Sequence, residues 1–596
     1  MLNFSSPEVN QFLHTYEISL FAVSQDEQRI AISTNLSGEF DVWMLDLPST
    51  YPYPMTKVGQ KTERLMFDPF GRYLIVSFDK DGDESPQIYA LGPYGGQLHP
   101  IVEAKGKKIH AQALSGDGER IYYASDKDNP MYMNSYKNDI TSGEEQTILV
   151  GTDALTFITA VAPDESSFTY NRAFSNMYMG GYVQIGEQSE SLTPNPNLVH
   201  RVRSPIYCDA DTIFFWTDYE SEFAYVAKYT ISCKEFIKVF EMDNEEVTNI
   251  QIDKQNRLLY AFTSNGVEDH LYQICLHNMS SIKIPLPVSV VQHTQIVSSG
   301  NLYISGVTET KPSNLFRRDA CTGEWIQLTQ NRVMGVHPDE LTKAQKVSYL
   351  SNDDLEIEAL LFEPKEERLN GYTIIWPHGG PHSAERKKYR GLFQFLCHQG
   401  YKIFAPNFRG STGYGSSFAK LAEQDWGEGP RLDMVEGIEW LLMEGKADRK
   451  KLFLMGGSFG GYMSLLLLGR HADYFQAVVD MYGESDLISF LESVPDSWKP
   501  LMKLRLGDPK EDRERLMNDS PISYVDGMTK PIFIIQGAND TRVVKEQSDK
   551  IVRALRERGR IVEYLVLEDE GHGFSKKENE ILVYKRIAAF FEKYKI

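Results

Sequence analysis

Between about residues 18 and 330, apolar positions come in short alternating or aromatic-rich runs, each closed by polar turn residues. Tyr73-Leu74-Ile75-Val76-Ser77-Phe78 and Ile213-Phe214-Phe215-Trp216 are typical, and such runs predict strands. The turns recur. Asp26-Glu27, Phe70-Gly71, Asp117-Gly118, Asp164-Glu165, Ala210-Asp211, Lys254-Gln255 and Ser299-Gly300 follow one another at roughly 44 to 47 residues, a spacing of propeller blades. After most anchors an apolar strand, a polar turn and a second, aromatic-bearing strand appear in that order, as in Leu258-Leu259-Tyr260-Ala261-Phe262 followed by His270-Leu271-Tyr272-Gln273-Ile274. Seven anchors predict an all-β seven-bladed propeller over 1–335. Two β-sandwiches are the competing arrangement, but they would not sustain one period.

The aromatic strand rhythm stops between Asn331 and Lys346, and strand, loop and helix then alternate. Buried strands are expected at Tyr372–Trp376, Lys402–Pro406, Lys451–Met455, Ala477–Val479, Pro531–Ile535 and Val562–Leu567, with helices at Asp433–Glu444, Gln547–Arg558 and Ile581–Tyr594. This pattern predicts a doubly wound, mainly parallel sheet over 336–596. The first 15 or so residues are expected to pack on that second domain.

Composition narrows the function classes. A chain of 596 residues exceeds a single core, and its 41% hydrophobic content suffices for two. A net charge of −21 without a basic run argues against nucleic acid. Five widely spaced cysteines (Cys208, Cys233, Cys275, Cys321, Cys397) fit neither a disulfide framework nor a zinc site, and read as reduced, mostly buried thiols. No basic-then-apolar leader opens the sequence and no apolar stretch approaches bilayer length, so a soluble cytoplasmic protein without membrane contact is expected. No cofactor or metal is called for, and a homo-oligomer is left open.

The chemistry centres on Gly456-Gly457-Ser458-Phe459-Gly460. In a chain with 44 glycines a G-x-S-x-G match arises by chance roughly 0.2 times, so the motif alone is weak. Its flanks are stronger: an apolar strand ends at Met455, and Tyr462 to Leu468 opens a buried helix. A serine on so sharp an elbow needs neighbours without a Cβ at two residues either side, and Gly456 and Gly460 supply them. The Phe459 N–H, at the helix start, is placed to meet a developing oxyanion. Ser458 also needs a base. His572, between Gly571 and Gly573 after the last strand, fits the nucleophile, acid, base order of α/β-hydrolases, and Asp540 fits the orienting acid after Pro531–Ile535. His471 reads as a surface or helix-capping residue, and Asp480 and Asp486 as turn formers.

With these residues in place, the chain resembles the prolyl oligopeptidase family of serine peptidases, and within it the acylaminoacyl-peptidase branch. The resemblance runs through Pro377-His378-Gly379-Gly380-Pro381, Asn407-Phe408-Arg409-Gly410-Ser411-Thr412-Gly413-Tyr414-Gly415, the Ser458 elbow, Gly537-Ala538-Asn539-Asp540-Thr541-Arg542-Val543 and Gly571-His572-Gly573-Phe574. It implies a propeller that covers the site and admits only short peptides. It implies a second oxyanion donor in the Gly380 N–H or the Tyr414 hydroxyl, Gly380 being favoured, and an Arg542 that grips a peptide carbonyl unless it serves a surface salt bridge. The pocket before the scissile bond is expected to draw on Leu487–Leu491, with Phe490, and on Trp498 and Val543, favouring an apolar side chain. Phe459, Gln536 and Val544 depart from the usual Tyr, His and Pro. Glu144-Glu145 and Glu245-Glu246 lack the aromatic setting of an amine-binding glutamate pair, which disfavours obligatory aminodipeptidase action. A carboxylesterase on the same scaffold, or a propeller-based binding protein with an inactive hydrolase domain, are the rival readings.

Overall fold

The computed structural model describes residues 7–596. Seven antiparallel four-stranded sheets follow one another in the chain, and each is formed by consecutive strands, from Ile18–Pro54 in the first blade to Val290–Gln327 in the seventh. Inner strands are buried, as in Leu302–Val307, and outermost strands such as Glu145–Val150 face solvent. The anchor turns join the first two strands of each blade. Glu27, Gly71, Gly118, Glu165 and Gly300 occupy the left-handed region there, which explains why glycine and acidic turn residues mark the period.

The period is also a contact distance along the chain. Arg72 donates to the Asp117 carbonyl at 2.6 Å, Arg120 pairs with Glu165 at 2.5 Å, Arg201 with Glu246 at 3.1 Å, and Asn249 donates to Thr294 at 2.9 Å. Each pair is 45 residues apart, so equivalent positions in successive blades touch. Among the described residues no strand is exchanged to close the ring. Instead Gln295 exchanges two hydrogen bonds with the Val23 backbone, at 2.8 and 3.1 Å, and Glu27 accepts from Asn301 and Tyr303. Ile18, Phe21 and Ile32 pack against Tyr303 and Leu315 beneath these bonds.

The remaining sheet has eight strands in spatial order Ala344–Leu350, Glu356–Phe362, Lys402–Pro406, Thr373–Ile375, Leu452–Gly457, Ala477–Met481, Ile532–Gly537 and Val562–Leu567. The six from Lys402–Pro406 onward are parallel, and the first two form an antiparallel edge. Helices Gly429–Met443, Phe459–His471 and Lys545–Glu557 cover one face, and Gly391–His398 and Lys577–Lys593 the other. The short helix Val9–Leu13 joins the second face, with Phe12 5.9 Å from the Phe395 ring and its carbonyl accepting from Tyr389 at 2.7 Å. Residues 1–6, part of the N-terminal stretch expected to pack here, lie outside the described residues.

Two expectations need correction. The thiols are not mostly buried: only Cys397 is, Cys208 and Cys275 are half-buried, and Cys233 and Cys321 are exposed, because they fall in blade turns and outer edges. Phe490 and Val543 sit in the core on the first helical face, Phe490 against Trp426, and contribute bulk rather than open surface.

Candidate active site

Ser458 stands between the strand ending at Gly457 and the helix beginning at Phe459, with φ 57° and ψ −127°. A β-carbon at Gly456 would come within 2.3 Å of the Gly460 carbonyl, and one at Gly460 within 2.2 Å of the Pro377 carbonyl. Both glycines are therefore required by close backbone approach, and the strained serine conformation is held by what surrounds it. Its N–H donates to the Met481 carbonyl at 2.9 Å, tying the elbow to the neighbouring strand.

Three residues far apart in sequence converge here. His572 Nε2 lies 2.9 Å from Ser458 Oγ, and His572 Nδ1 lies 2.7 Å from Asp540 Oδ2. A carboxylate can only accept, so Nδ1 carries the proton and Nε2 is free to accept from the hydroxyl. Asp540 is fixed from its other side, since Oδ1 accepts the Arg542 and Val543 N–H groups at 2.9 Å each. Gln536 Nε2 spans the same turn, reaching Asp540 Oδ2 at 3.3 Å and the Val543 carbonyl at 3.0 Å, which gives the departure at this position a bracing role.

The Phe459 N–H begins its helix, where geometry leaves it without an intrahelical acceptor, while the Phe459 ring is buried against Trp426 and Phe408. Gly379 lies directly over the elbow: a β-carbon there would be 3.6 Å from Ser458 Cβ. Gly380, at φ +139°, follows it, and its carbonyl accepts from Arg505. Tyr414 is engaged elsewhere. Its hydroxyl accepts from Asn407 Nδ2 at 2.7 Å, and its ring fills the space over propeller Gly266, where a β-carbon would come within 2.4 Å.

The motif residues around Gly379 brace this turn. His378 Nε2 meets Ser411 Oγ at 2.8 Å, its ring stacks on Phe408 at 4.2 Å, and burial lowers its pKa to about 4, so it is neutral. Asn407 accepts from the Glu385 N–H at 2.7 Å, and the buried Glu385 carboxylate takes Trp376 Nε1 at 3.0 Å and both Arg390 nitrogens at 2.8 Å. Sequence reasoning passed over Glu385 and Arg390. It also passed over Tyr482, whose ring lies 4.9 Å from that of His572, and Glu484, a buried carboxyl with one unpartnered oxygen that burial raises to about 7. The structure marks the spot by Tyr482 in the left-handed region at φ 44°, directly after the buried strand Ala477–Met481, which no sequence pattern announces.

Ser458 and His572 open on a cavity of about 650 Å³ between the two domains. Its far wall comes from the first and seventh blades, including Tyr16, Phe40, Gln292 and Val307. Arg542 lines this cavity and a neighbouring one that Trp498 also lines; it pairs with Glu84 of the second blade and lies 5.7 Å over the Trp498 ring. Beside it Gly82 of the same blade packs on Gly571, next to His572. His471 ends its helix with Nε2 accepting from Arg431 at 2.6 Å, away from the cavity.

Residues 387–595 match the family model described as the prolyl oligopeptidase family. The C-terminal domain belongs to that family. As a prolyl oligopeptidase family domain it is a serine peptidase hydrolase domain. Dipeptidyl aminopeptidase BIII of Pseudoxanthomonas mexicana is 25% identical over 585 residues, which cover 94% of this chain and 84% of that protein. The acylamino-acid-releasing enzyme of Rattus norvegicus is 28% identical over 261 residues, 42% of this chain but only 34% of that one. Among solved structures, a puromycin-hydrolyzing peptidase of Mycobacterium tuberculosis superposes over 99% of this chain and 97% of its own, with TM-score 0.84 and 17% identity, a likeness of fold. Among the described residues no helix is long and apolar enough to cross a membrane.

Proposed function

We propose that this chain hydrolyses short peptides by acyl transfer to Ser458. The observation that carries the reading is the unbroken hydrogen-bond chain from Asp540 through His572 to Ser458, at 2.7 and 2.9 Å. His572 Nε2 takes the hydroxyl proton as Oγ attacks the scissile carbonyl, then gives it to the leaving amine; water, activated by the same nitrogen, releases the acyl group. The Phe459 and Gly380 N–H groups receive the oxyanion in this scheme, and Gly380 is favoured over Tyr414 because Gly380 follows the residue that lies over the elbow, whereas the Tyr414 ring packs over propeller Gly266 and does not line the cavity around Ser458. Arg542, over Trp498 and beside the cavity, is positioned to hold a peptide carbonyl once it leaves Glu84.

The size of the interdomain cavity supports short substrates, because about 650 Å³ holds a few residues and not a folded chain. Glu245 and Glu246 do not favour capture of a free N-terminal amine. Glu245 already accepts from Thr263 and His270, and Glu246 from Arg201 and the Gly413 N–H. The test is kcat/KM on matched peptide and ester substrates, for wild type and Ser458→Ala. The proposal expects peptide cleavage that Ser458→Ala abolishes; ester hydrolysis without peptide cleavage would overturn the peptide assignment.

A further inference from the structure

One cation on the wall of the interdomain cavity has no partner of its own. Five ionic side chains besides His572 and Lys388 stand on its wall, and each has a partner. Glu17 pairs with Lys61 at 2.9 Å, Lys577 with Glu580 at 3.0 Å, Arg390 with Glu385 at 2.8 Å, and Arg542 with Glu84. Lys388 lines the same cavity, and among the described residues its ammonium makes no hydrogen bond or ion pair. The Arg390 charge beside it, and then burial, bring its pKa down to about 8, so it is largely cationic at pH 7. The Glu385 carboxylate that pairs with Arg390 opposes this fall only in part, so two neighbouring cations share one counter-charge, and a ligand anion would supply the second.

A second feature aims the same way. The helix Gly391–His398 starts immediately after, and its N-cap residue Arg390 makes no side-chain cap. Gly391, Leu392 and Phe393, whose N–H groups have no intrahelical acceptor, all line the cavity. An uncapped helix start and a lone ammonium together favour an anion with several acceptor oxygens.

The side of the site follows from the chemistry. His572 Nε2 must reach the leaving nitrogen to protonate it, so the leaving peptide departs into the cavity that His572 lines. Trp498, expected on the acyl side, lines other cavities, and Phe490 is in the core. We propose that Lys388 and the start of the Gly391–His398 helix bind the C-terminal carboxylate of the leaving peptide, making free-acid peptides the preferred substrates. This rests on the peptidase reading above and assigns its leaving-group side.

The test uses a library of N-acetylated tetrapeptides, each as free acid and as C-terminal amide, digested by the full-length protein and read by mass spectrometry. The wild type is expected to cleave the acids about ten- to a hundredfold faster in kcat/KM than the amides, chiefly through KM. Lys388→Met should collapse that ratio towards one and Lys388→Arg should restore most of it; a ratio is insensitive to how much of each variant folds. Equal cleavage of acids and amides by the wild type, or a ratio unchanged in Lys388→Met, overturns the assignment and leaves the peptidase reading standing. Cleavage of neither form overturns both.

Discussion

The two domains solve the burial problem differently. In the propeller each sheet is local and each hydrophobic cluster small, as where Ile75, Ile121 and Tyr123 pack the second blade on the third. In the hydrolase domain one sheet is buried on both faces by two large clusters, and strands such as Leu452–Gly457 have almost no accessible residue. A blade therefore tolerates change wherever a turn faces solvent, whereas the loops at the ends of the parallel strands carry Ser458, Asp540 and His572 on a frame with little freedom to adjust.

Chemistry gives the largest contrast. Asp540→Asn and His572→Ala are each expected to lower kcat about 10⁴-fold or more. Loss of the Arg542–Glu84 contact between the domains, by Glu84→Gln, should change kcat/KM by about tenfold or less. Steady-state kinetics on one peptide separates the two; equal losses would break the assignment of chemistry to one domain alone.

Stability comes next. Gly460→Ala places a carbon 2.2 Å from the Pro377 carbonyl, whereas Gly106→Ala, also a change at a tight turn, meets nothing within 4 Å at φ +68°. The first should cost about 3 kcal/mol or more and the second about 1 kcal/mol of backbone strain. Denaturant unfolding of the two variants measures the difference, and similar costs would refute the contrast in rigidity.

Within the propeller, the 45-residue contacts differ by burial. Arg201 is buried between Asp218 at 2.7 Å and Glu246 at 3.1 Å, so Arg201→Met should destabilise by about 3 kcal/mol because both carboxylates lose their counter-charge. Arg72→Ala, whose side chain is nearly half exposed, should cost less than about 1 kcal/mol. Unfolding midpoints of the pair test this directly.

The last effect concerns pH. His378 is buried neutral with its pKa lowered to about 4, against about 6.5 for an unfolded histidine. Between those values the unfolded chain binds the extra proton, so this group's stabilisation is complete above about pH 6.5 and is lost as pH falls towards 4. Asp480 and Glu484, raised to about 7 by burial, act with the opposite sign over much of that window. The wild-type curve sums these effects, and the difference between wild type and His378→Gln isolates one: it should shrink as pH falls from 6.5 to 4.5.

The sequence carried the blades because their period is a physical contact, visible in pairs such as Arg120 and Glu165. It carried the Ser458 elbow because glycine spacing and flanking strands encode a strained turn. The Gly379 brace was legible only as a motif, since His378, Ser411, Asn407 and Glu385 meet through folds of the chain that no spacing predicts. Phe490 and Val543 were read as pocket walls because apolar identity does not reveal which side of a helix faces a core. Lys388 was missed because a lysine among Arg386, Lys387 and Arg390 looks like a solvated run until three of the four are seen paired.

The central claim is that Ser458 is the activated nucleophile, and the most direct measurement is intact-mass analysis after treating the folded protein with a fluorophosphonate. One adduct, mapped to Ser458 and absent in Ser458→Ala and from heat-unfolded protein, is the predicted result. No adduct on the folded wild type, or equal labelling of Ser458→Ala, would contradict it.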